Sequence, residues 1–378
     1  MKIVIAPDKF KGSLSSLEFC SAVEDGINRI SAEVDILKLP LADGGDGTIE
    51  IANYYLGGTL IEVEVNNPLF RPINASYLYA QNSQTAFIEM AEASGLWLLK
   101  EEEQDCKNTT TFGTGEMILH AVEKGAKKII LGIGGSATND CGIGMATALG
   151  YKFIDRDNKE VKPIGASLSR ICSIDDANVS SKLKQVTFQV ACDVNNPLYG
   201  KNGAAHVYAK QKGASTEDIE MLDLGLKCFS EVLTTKYNIH PQTIKGAGAA
   251  GGMGIAAIVF LKANLESGIQ VMKELANFDH QIADADWIIS GEGKLDVQTL
   301  SGKTIDGVLK SAKMYSIPVA VFCGQIALDK DALNNFGITY AQDILSRSSD
   351  LNDALNNSYT YLSEIAETFA KKVMSSEV

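Results

Sequence analysis

Short apolar runs alternate with amphipathic segments at both ends of the chain. Five runs have the length of strands that are buried on both faces of a parallel sheet: residues 2–6, 34–39, 287–290, 318–323 and 338–341. Helical patterns cover residues 15–29, a segment that ends near residue 56, and residues 304–313 and 351–373. Ser15 and Glu18 have the spacing of a capping box at the start of the first helix. This alternation predicts an α/β fold in which both ends of the chain contribute to one doubly wound parallel sheet.

The middle of the chain has a less regular pattern, which predicts a second α/β unit with a mixed sheet. Its predicted strands are residues 62–65, 75–79, 86–90, 128–133 and 186–191. Its predicted helices are residues 115–123, a segment containing 145–149, and residues 216–234 and 253–262. We therefore predict one discontinuous domain, residues 1–65 plus 285–378, and an inserted domain of residues 66–284. The 378 residues agree with this count at roughly 150 residues per domain.

Composition and charge exclude several classes of partner. Lys and Arg number 34 and Asp and Glu number 47, so the net charge is −13, which disfavours nucleic acid and anionic membranes. The seven cysteines form no Cys-x-x-Cys pair and the four histidines lie far apart, which disfavours a disulfide framework and a zinc site. No apolar run approaches the ~20 residues of a membrane span, and we expect a cytoplasmic protein. The sequence leaves the oligomeric state open.

The main functional indication is that five loops after predicted strands combine glycine with charged residues. They are residues 8–12, 43–47, 134–140, 193–200 and 291–296. In open α/β sheets, ligands bind beyond the carboxyl ends of the strands. We therefore expect these loops to form the functional site.

The loop at 134–140 is the best candidate for a phosphate site. Gly134 and Gly135 allow a sharp turn in which backbone N–H groups converge on an anion, and Ser136, Thr138 and Asn139 add side-chain donors. The alternative is a tight turn between a strand and a helix that binds nothing.

Acidic residues in three of the loops are candidates for metal binding or general-base catalysis. Asp43 and Asp46 could hold Mg²⁺, bind a substrate hydroxyl or act as a base, or they could simply cap an Asx-turn. Asp193 follows a buried strand and could be a base, a metal ligand or a turn cap. Glu292 and Asp296 could hold a cation, or they could belong to a solvated turn.

Lysines near the strand ends suit an anionic ligand in this acidic protein. Lys294 could neutralise phosphate, while Lys9 and Lys11 follow the first strand, although each could be an ordinary surface lysine. Two further motifs are set aside. Residues 246–251 read Gly-x-Gly-x-x-Gly but follow no clear strand, and residues 302–304 lack the leading glycine of a Walker A loop.

Taken together, the five loops resemble the bacterial glycerate kinase family of the first type. The resemblance is carried in order along the chain by APDKFKG (6–12), ADGGDG (42–47), GGSATND (134–140), ACDVNNPL (191–198) and GEG (291–293). It implies an ATP-dependent kinase that phosphorylates D-glycerate with Mg²⁺, most often to 2-phospho-D-glycerate. It also implies two α/β domains, the first Rossmann- or flavodoxin-like, with the active site in the cleft between them. Cys141 stands where the family pattern has glycine.

The resemblance leads to a set of hypothetical roles. The 134–139 loop would bind the ATP phosphates, with Glu292 and Lys294 as further nucleotide contacts. Asp193 and Asp296 would hold Mg²⁺. Lys9 would bind the glycerate carboxylate and Asp46 would orient or deprotonate the attacking hydroxyl, although Asp46 and Asp193 could exchange roles. Further contacts to the substrate would come from Asp8, Lys11 and Asp43.

The sequence leaves four other functions open. They are a kinase of another small hydroxy acid, a glycerate kinase that forms 3-phosphoglycerate, a non-catalytic nucleotide-binding protein and an NAD-linked dehydrogenase.

Overall fold

The computed structural model describes residues 1–44, 47–296 and 303–375. Its strands are β1 (Lys2–Ile5), β2 (Asp35–Lys38), β3 (Thr59–Asn66), β4 (Pro72–Ala80), β5 (Thr85–Glu89), β6 (Lys128–Gly132), β7 (Lys152–Ile154), β8 (Ser173–Asp175), β9 (Thr187–Ala191), β10 (Asn264–Glu266), β11 (Trp287–Leu295), β12 (Val319–Ile326) and β13 (Ile338–Asp343).

The α-helices are α1 (Ser16–Asn28), α2 (Thr48–Leu56), α3 (Ala91–Ser94), α4 (Phe112–Glu123), α5 (Ile143–Ala148), α6 (Thr216–Tyr237), α7 (Ala249–Ala256), α8 (Gly268–Leu275), α9 (Phe278–Gln281), α10 (Thr304–Tyr315), α11 (Lys330–Asn335), α12 (Leu351–Asn356) and α13 (Ser358–Met374). A π-helical segment, Ala257–Leu261, continues α7. No helix of the described residues combines the length and the apolar character that crossing a membrane requires.

The chain divides into two compact units. The first comprises Met1–Tyr55 and Ser267–Val378, and the second comprises Leu56–Glu266. The sequence placed these boundaries at 65/66 and 284/285. They differ because β3 pairs along its whole length with β4, which assigns it to the second unit. At the other boundary, α8 packs within the first unit. Its Ile269 lies so close to Gly307 of α10 that a Cβ on this glycine would contact the isoleucine side chain.

The first unit is built on a parallel five-stranded sheet with the order β13-β12-β11-β1-β2. The predicted parallel sheet formed by both chain ends is thereby confirmed. From β1 the chain adds β2 on one side, whereas β11, β12 and β13 extend the sheet on the other side. The strand order therefore reverses between β1 and β11, which is the point where doubly wound sheets bind their ligands.

Helices α1 and α13 cover one face of this sheet. Ser15 caps α1 through the predicted capping box with Glu18. The two helices approach so closely that a Cβ on Gly26 would lie 2.1 Å from the carbonyl oxygen of Ser363. Phe19 and Phe369 are fully buried in the core below them.

Two predicted elements of the first unit were wrong. Residues 291–295 are not a loop but the second half of β11, paired with β12 through Glu292↔Cys323 and Lys294↔Gln325. Glycine is needed there for close packing, since a Cβ on Gly291 would lie 2.0 Å from the carbonyl oxygen of Phe322. The single closing helix predicted at 351–373 is two helices, α12 and α13, because the backbone leaves the helical region at Asn357.

The second unit is built on a mixed sheet, as predicted, and the sheet has six strands in the order β10-β9-β6-β5-β4-β3, of which β10 was not predicted. Strands β3, β4 and β5 pair antiparallel, and the other pairs are parallel. Gly132 of β6 pairs with Ala191 of β9, and Ala191 pairs with Glu266 of β10. The loops that follow β6 and β9 therefore leave the sheet side by side, at the same edge.

Candidate active site

Asp8 lies at the reversal point of the first sheet. Its backbone N–H donates to the carbonyl of Gly291 in β11 (2.8 Å). Its carboxylate accepts hydrogen bonds from the backbone N–H of Lys9 (2.7 Å) and from Oγ1 of Thr304, the first residue of α10 (2.6 Å). The predicted site residue is thus held between β1, β11 and the start of a helix.

Burial raises the pKa of the Asp8 carboxyl to about 6. The hydrogen bond from Thr304 acts in the opposite direction, and the negative charge of Asp43 raises the pKa further. An ionised carboxylate is disfavoured where water is excluded and another anion is near. Asp8 therefore titrates close to neutrality and can accept a hydrogen bond or a proton from a hydroxyl group.

Lys9 extends from the β1 loop to the loop after β2. A Cβ on Gly47 would lie 3.5 Å from Lys9 Cδ and 3.6 Å from Nζ. A cavity of about 20 Å³ lies between these loops, lined in part by Asp8, Lys9 and Glu50, and it has room for about one water molecule. The structure thus brings Asp8, Lys9 and Asp43 together, whereas Asp46 lies outside the described residues and stays a prediction.

The remaining predicted residues of the first unit are Lys11, in the loop after β1, and three residues in or directly after the second half of β11: Glu292, Lys294 and Asp296. Lys294 Nζ is 3.6 Å from the carboxylate of Asp296, so these two side chains form an ion pair. Lys11 and Lys294 both line a cavity of about 300 Å³ at the carboxyl ends of β11 and β12. Its other walls include the apolar side chains of Phe10 and Leu345. Glu292 directly precedes Gly293, which lines this cavity, and Glu292 is half-buried.

The predicted phosphate loop follows β6 in the second unit. Gly134 and Gly135 are exposed, and Gly135 adopts a left-handed backbone conformation (φ 69°) that favours glycine. Ser136, Thr138 and Asn139 are buried instead of projecting into solvent. One backbone donor of the loop is already used, because the N–H group after Ser136 donates to the carbonyl of Ser94 (2.9 Å).

The sequence predicted that this loop leads directly into a helix. In the structure, two residues with left-handed backbone conformations separate the loop from the helix. Cys141 and Gly142 both have positive φ values, 49° and 64°, and α5 begins only at Ile143. The family's glycine at the Cys141 position suits this left-handed conformation better than cysteine does. The turn is stabilised by the buried Asp140, whose carboxylate accepts hydrogen bonds from the backbone and side chain of Thr111 (both 2.8 Å).

Lys212 contacts this loop, although no pattern in the sequence predicted it as a site residue. Its Nζ donates to Ser136 Oγ (2.7 Å) and to the carbonyl oxygen of Thr138 (2.8 Å). Burial lowers the pKa of the Lys212 ammonium to about 8, and the nearby Cys106 and Asp140 oppose this only in part. Nothing in the local sequence Gln211-Lys212-Gly213 distinguishes this lysine from a surface one.

The turn at Asp193 lies beside the phosphate loop, because β6 and β9 are neighbours in register. The glycine-rich segment 246–252 packs against both. Gly248 N–H donates to the carbonyl of Asn196 (3.0 Å), and the carbonyl of Gly251 accepts from Cys141 N–H (2.9 Å). The segment set aside as a nucleotide fingerprint therefore has a packing role. Asp193 itself is exposed at the strand end.

Metal ligands are not grouped in the part of the chain that the structure describes. There, no cluster of three or more His, Cys, Asp or Glu residues is arranged to hold an ion. Asp193 belongs to the second unit and Asp296 to the first. Both supply the carboxylate oxygens that Mg²⁺ prefers. Their shared role in metal binding stays a prediction.

Comparisons with known proteins identify the family that the chain resembles. Residues 3–374 match the glycerate kinase family. The chain is 41% identical over 373 residues to the glycerate kinase of Bacillus subtilis (strain 168), covering 99% of this chain and 98% of that protein. It is 41% identical over 370 residues to the glycerate 2-kinase of Escherichia coli (strain K12), covering 98% and 97%. The fold is similar to a crystal structure of an assigned glycerate kinase 2 from Salmonella typhimurium LT2, with a TM-score of 0.89, 40% identity and coverage of 100% of this chain and 99% of that chain.

Proposed function

This chain belongs to the glycerate kinase family and is a phosphotransferase, and from that membership we propose that it transfers the γ-phosphoryl group of ATP to D-glycerate, forming 2-phospho-D-glycerate. The match to the family over residues 3–374 carries the proposal. Supporting it, the two sheets end in loops of complementary character. Cationic and acidic side chains follow β1 and β2, and a glycine-rich turn with hydroxyl groups follows β6.

We assign the hydroxy acid to the first unit. Lys9 would bind the glycerate carboxylate, and Lys11 adds positive charge nearby. Asp8 and Asp43 would accept hydrogen bonds from the glycerate hydroxyls, since Asp8 titrates near neutrality. Asp46 would orient the attacking hydroxyl and take its proton, with Asp193 as the alternative base.

We assign the nucleotide phosphates chiefly to the second unit. Gly134 and Gly135 would present backbone N–H groups to the phosphates, and the hydroxyls of Ser136 and Thr138 and the amide of Asn139 would add donors. Glu292 and Lys294 would be further nucleotide contacts. Mg²⁺, held by Asp193 and Asp296, would neutralise charge on the phosphates. Phosphoryl transfer requires mainly such positioning and charge neutralisation from a protein.

The proposal is tested by ³¹P NMR of the product formed from ATP, Mg²⁺ and D-glycerate. We expect ADP and a phosphate monoester coupled to a single proton, which identifies the 2-phosphate. Coupling to two protons would instead identify 3-phosphoglycerate. The Asp193→Asn variant should turn over several orders of magnitude more slowly while its circular dichroism is unchanged.

The matched control is Asp157→Asn, which removes an exposed carboxylate in a turn of the same unit. Its turnover should equal that of the wild type. A panel of other small hydroxy acids, assayed by ADP release, separates glycerate kinase from a kinase of related acids. Absence of ADP release with D-glycerate would contradict the proposed function, and wild-type turnover by Asp193→Asn would remove Asp193 from the mechanism.

A further inference from the structure

Four polar residues form a buried group behind the exposed Gly134 and Gly135. This group, here called the Lys212 cluster, consists of Ser136, Thr138, Asn139 and Lys212. The most exposed of the four, Ser136, has 6% of its surface accessible to solvent. Lys212 is distant in sequence, 76 positions from Ser136, so only the fold assembles the cluster.

Lys212 is a buried cation whose charge is not neutralised by direct ion pairing. Among the described residues, no carboxylate lies within ion-pairing distance of its Nζ, and its two hydrogen bonds go to neutral oxygens. Burying an ammonium group without a paired anion is unfavourable, because the group loses its hydration. A positive charge kept at such a position favours binding of an anion close by.

The hydrogen bonds of Lys212 determine how the loop presents its donors. Because Ser136 Oγ accepts from the ammonium group, the hydrogen of this hydroxyl is available to donate elsewhere. The second bond, to the carbonyl of Thr138, fixes the orientation of the following peptide group. Lys212 thus holds both a side chain and the backbone of the loop in one arrangement.

Other polar atoms of the cluster have no protein partner. Within the described part of the chain, Thr138 Oγ1 and both side-chain polar atoms of Asn139 are buried without a hydrogen bond. Buried polar groups in native proteins are nearly always satisfied by protein, water or a ligand. Three orphaned atoms on two adjacent residues therefore indicate that a polar ligand group or water completes this loop.

We propose that Lys212 is the positioning residue of an anion site at the 134–139 loop, which takes a phosphate group of the nucleotide. Lys212 acts through Ser136 and the Thr138 carbonyl, and its charge attracts the phosphate. The assignment of the anion to a nucleotide rests on the proposed function. The anion site itself rests on the geometry of the Lys212 cluster.

The first test replaces Lys212 by methionine, which keeps the length of the side chain and removes its charge. We expect Lys212→Met to lower kcat/KM for ATP by about 10- to 100-fold, with KM for D-glycerate unchanged. Lys210→Met is the matched control, because Lys210 is an exposed residue of the same short helix, Lys210–Lys212. It should leave both constants unchanged.

A double-mutant cycle tests whether Lys212 works through Ser136. If it does, Ser136→Ala combined with Lys212→Met should lose little more kcat/KM for ATP than the stronger single variant. Independent roles would make the two losses multiply. Multiplied losses, or wild-type kcat/KM for ATP in Lys212→Met, would overturn the proposal.

A pH profile covers the case in which Lys212→Met fails to fold. The wild-type kcat/KM for ATP should fall above about pH 8, as Lys212 loses its proton. Lys212→Arg keeps its charge at every accessible pH, so its profile should lack this fall. A wild-type profile with no fall up to about pH 9.5, or the same fall in both proteins, would overturn the assignment.

Direct binding separates this inference from the proposed function. Tripolyphosphate and ADP are titrated calorimetrically into the wild type, Lys212→Met and Lys210→Met. Weaker binding of both anions to Lys212→Met alone supports the anion site, even if the wild type does not phosphorylate D-glycerate. Equal binding to all three proteins would refute the site, even if the kinase activity is demonstrated.

Discussion

Two ionisable side chains, Asp8 and Lys212, show how their surroundings set the chemistry of single residues. Asp8 and Lys212 are both displaced toward their neutral forms, Asp8 by a raised pKa and Lys212 by a lowered one. The common cause is loss of hydration, which penalises either sign of charge. Burial also raises the pKa of the Asp140 carboxyl, and the hydrogen bonds that it accepts from Thr111, Gly142 and Gly144 oppose this effect only in part. Loss of hydration thus acts on site residues and structural residues alike.

The raised pKa of Asp8 predicts a specific dependence of stability on pH. Since the folded-state pKa, about 6, is above the ordinary value of 3.8, ionisation opposes folding. The penalty is fully present at pH 7, begins to shrink as the pH falls through the folded-state pKa, and is lost only below the ordinary value of 3.8. Relative to Asp8→Asn, the wild type should therefore gain about 1 kcal/mol in free energy of unfolding between pH 7 and pH 5.

Urea denaturation of the two proteins at each pH measures this difference. Replacing Trp97 by phenylalanine in both leaves Trp287, in β11, as the only tryptophan and as a probe of the first unit. The other titrating groups are common to both proteins and cancel. If the stability difference between the wild type and Asp8→Asn is the same at both pH values, the pKa of Asp8 in the folded protein is close to its ordinary value.

At the scale of elements, glycine has three distinct roles in this fold. In the loop after β6 it makes a sharp turn, at Gly135. In β11 it allows close packing against a neighbouring strand, at Gly291. In the segment after Gly246 it does both, because Gly251 and Gly252 have positive φ values and lie against the phosphate loop. Sequence alone treats all three as turns, since it does not show what approaches each Cα atom.

Gly251→Ala should therefore destabilise the second unit more than an ordinary glycine substitution. A Cβ at this position would lie 2.2 Å from the carbonyl oxygen of Thr138, and the residue also has a positive φ of 72°. The control Gly57→Ala has a comparable φ of 60° but open space around it. We expect the control to lose about 1 kcal/mol and Gly251→Ala about 3 kcal/mol or more.

Chemical denaturation followed by far-ultraviolet circular dichroism provides both values. Equal losses in Gly251→Ala and Gly57→Ala would show that the glycine segment does not support the loop. If the segment does support the loop, Gly251→Ala should also weaken ATP binding, while Gly57→Ala should not.

At the scale of the whole molecule, the two units have different relations to the chain. The second unit is one continuous segment, Leu56–Glu266, with its own core and a complete six-stranded sheet. The first unit needs both ends of the chain, because β1 pairs with β2 on one side and with β11 on the other. A continuous segment with its own core satisfies the conditions for independent folding.

We therefore expect a fragment of residues 56–266 to fold without the remainder of the chain. It should show a cooperative thermal transition and dispersed amide signals in an NMR spectrum. Residues 1–55 produced separately should lack both properties, because the partner strand β11 is missing. A fragment of 56–266 that melts without cooperativity would show that its core depends on the first unit.

Local patterns were sufficient to predict the fold class and most elements. Alternation of apolar runs and helices predicted both sheets, and the spacing of Ser15 and Glu18 predicted the capping box of α1. Glycine beside charge marked Asp8, Lys9 and the loop at Ser136, and the order of these motifs indicated the family. The roles assigned to Asp46, Asp193 and Asp296 stay predictions.

What the sequence by itself determined are features encoded within a few neighbouring residues: strand and helix periodicity, capping, and the motifs of the loops. What only the tertiary structure decided are features created when distant segments meet. These are the contact of Lys212 with Ser136 across 76 positions, the extension of β11 through Gly291, and the titration of Asp8 near neutrality. The physical reason is that desolvation and close packing depend on the atoms that surround a residue in space. Periodicity and motifs record only its neighbours along the chain.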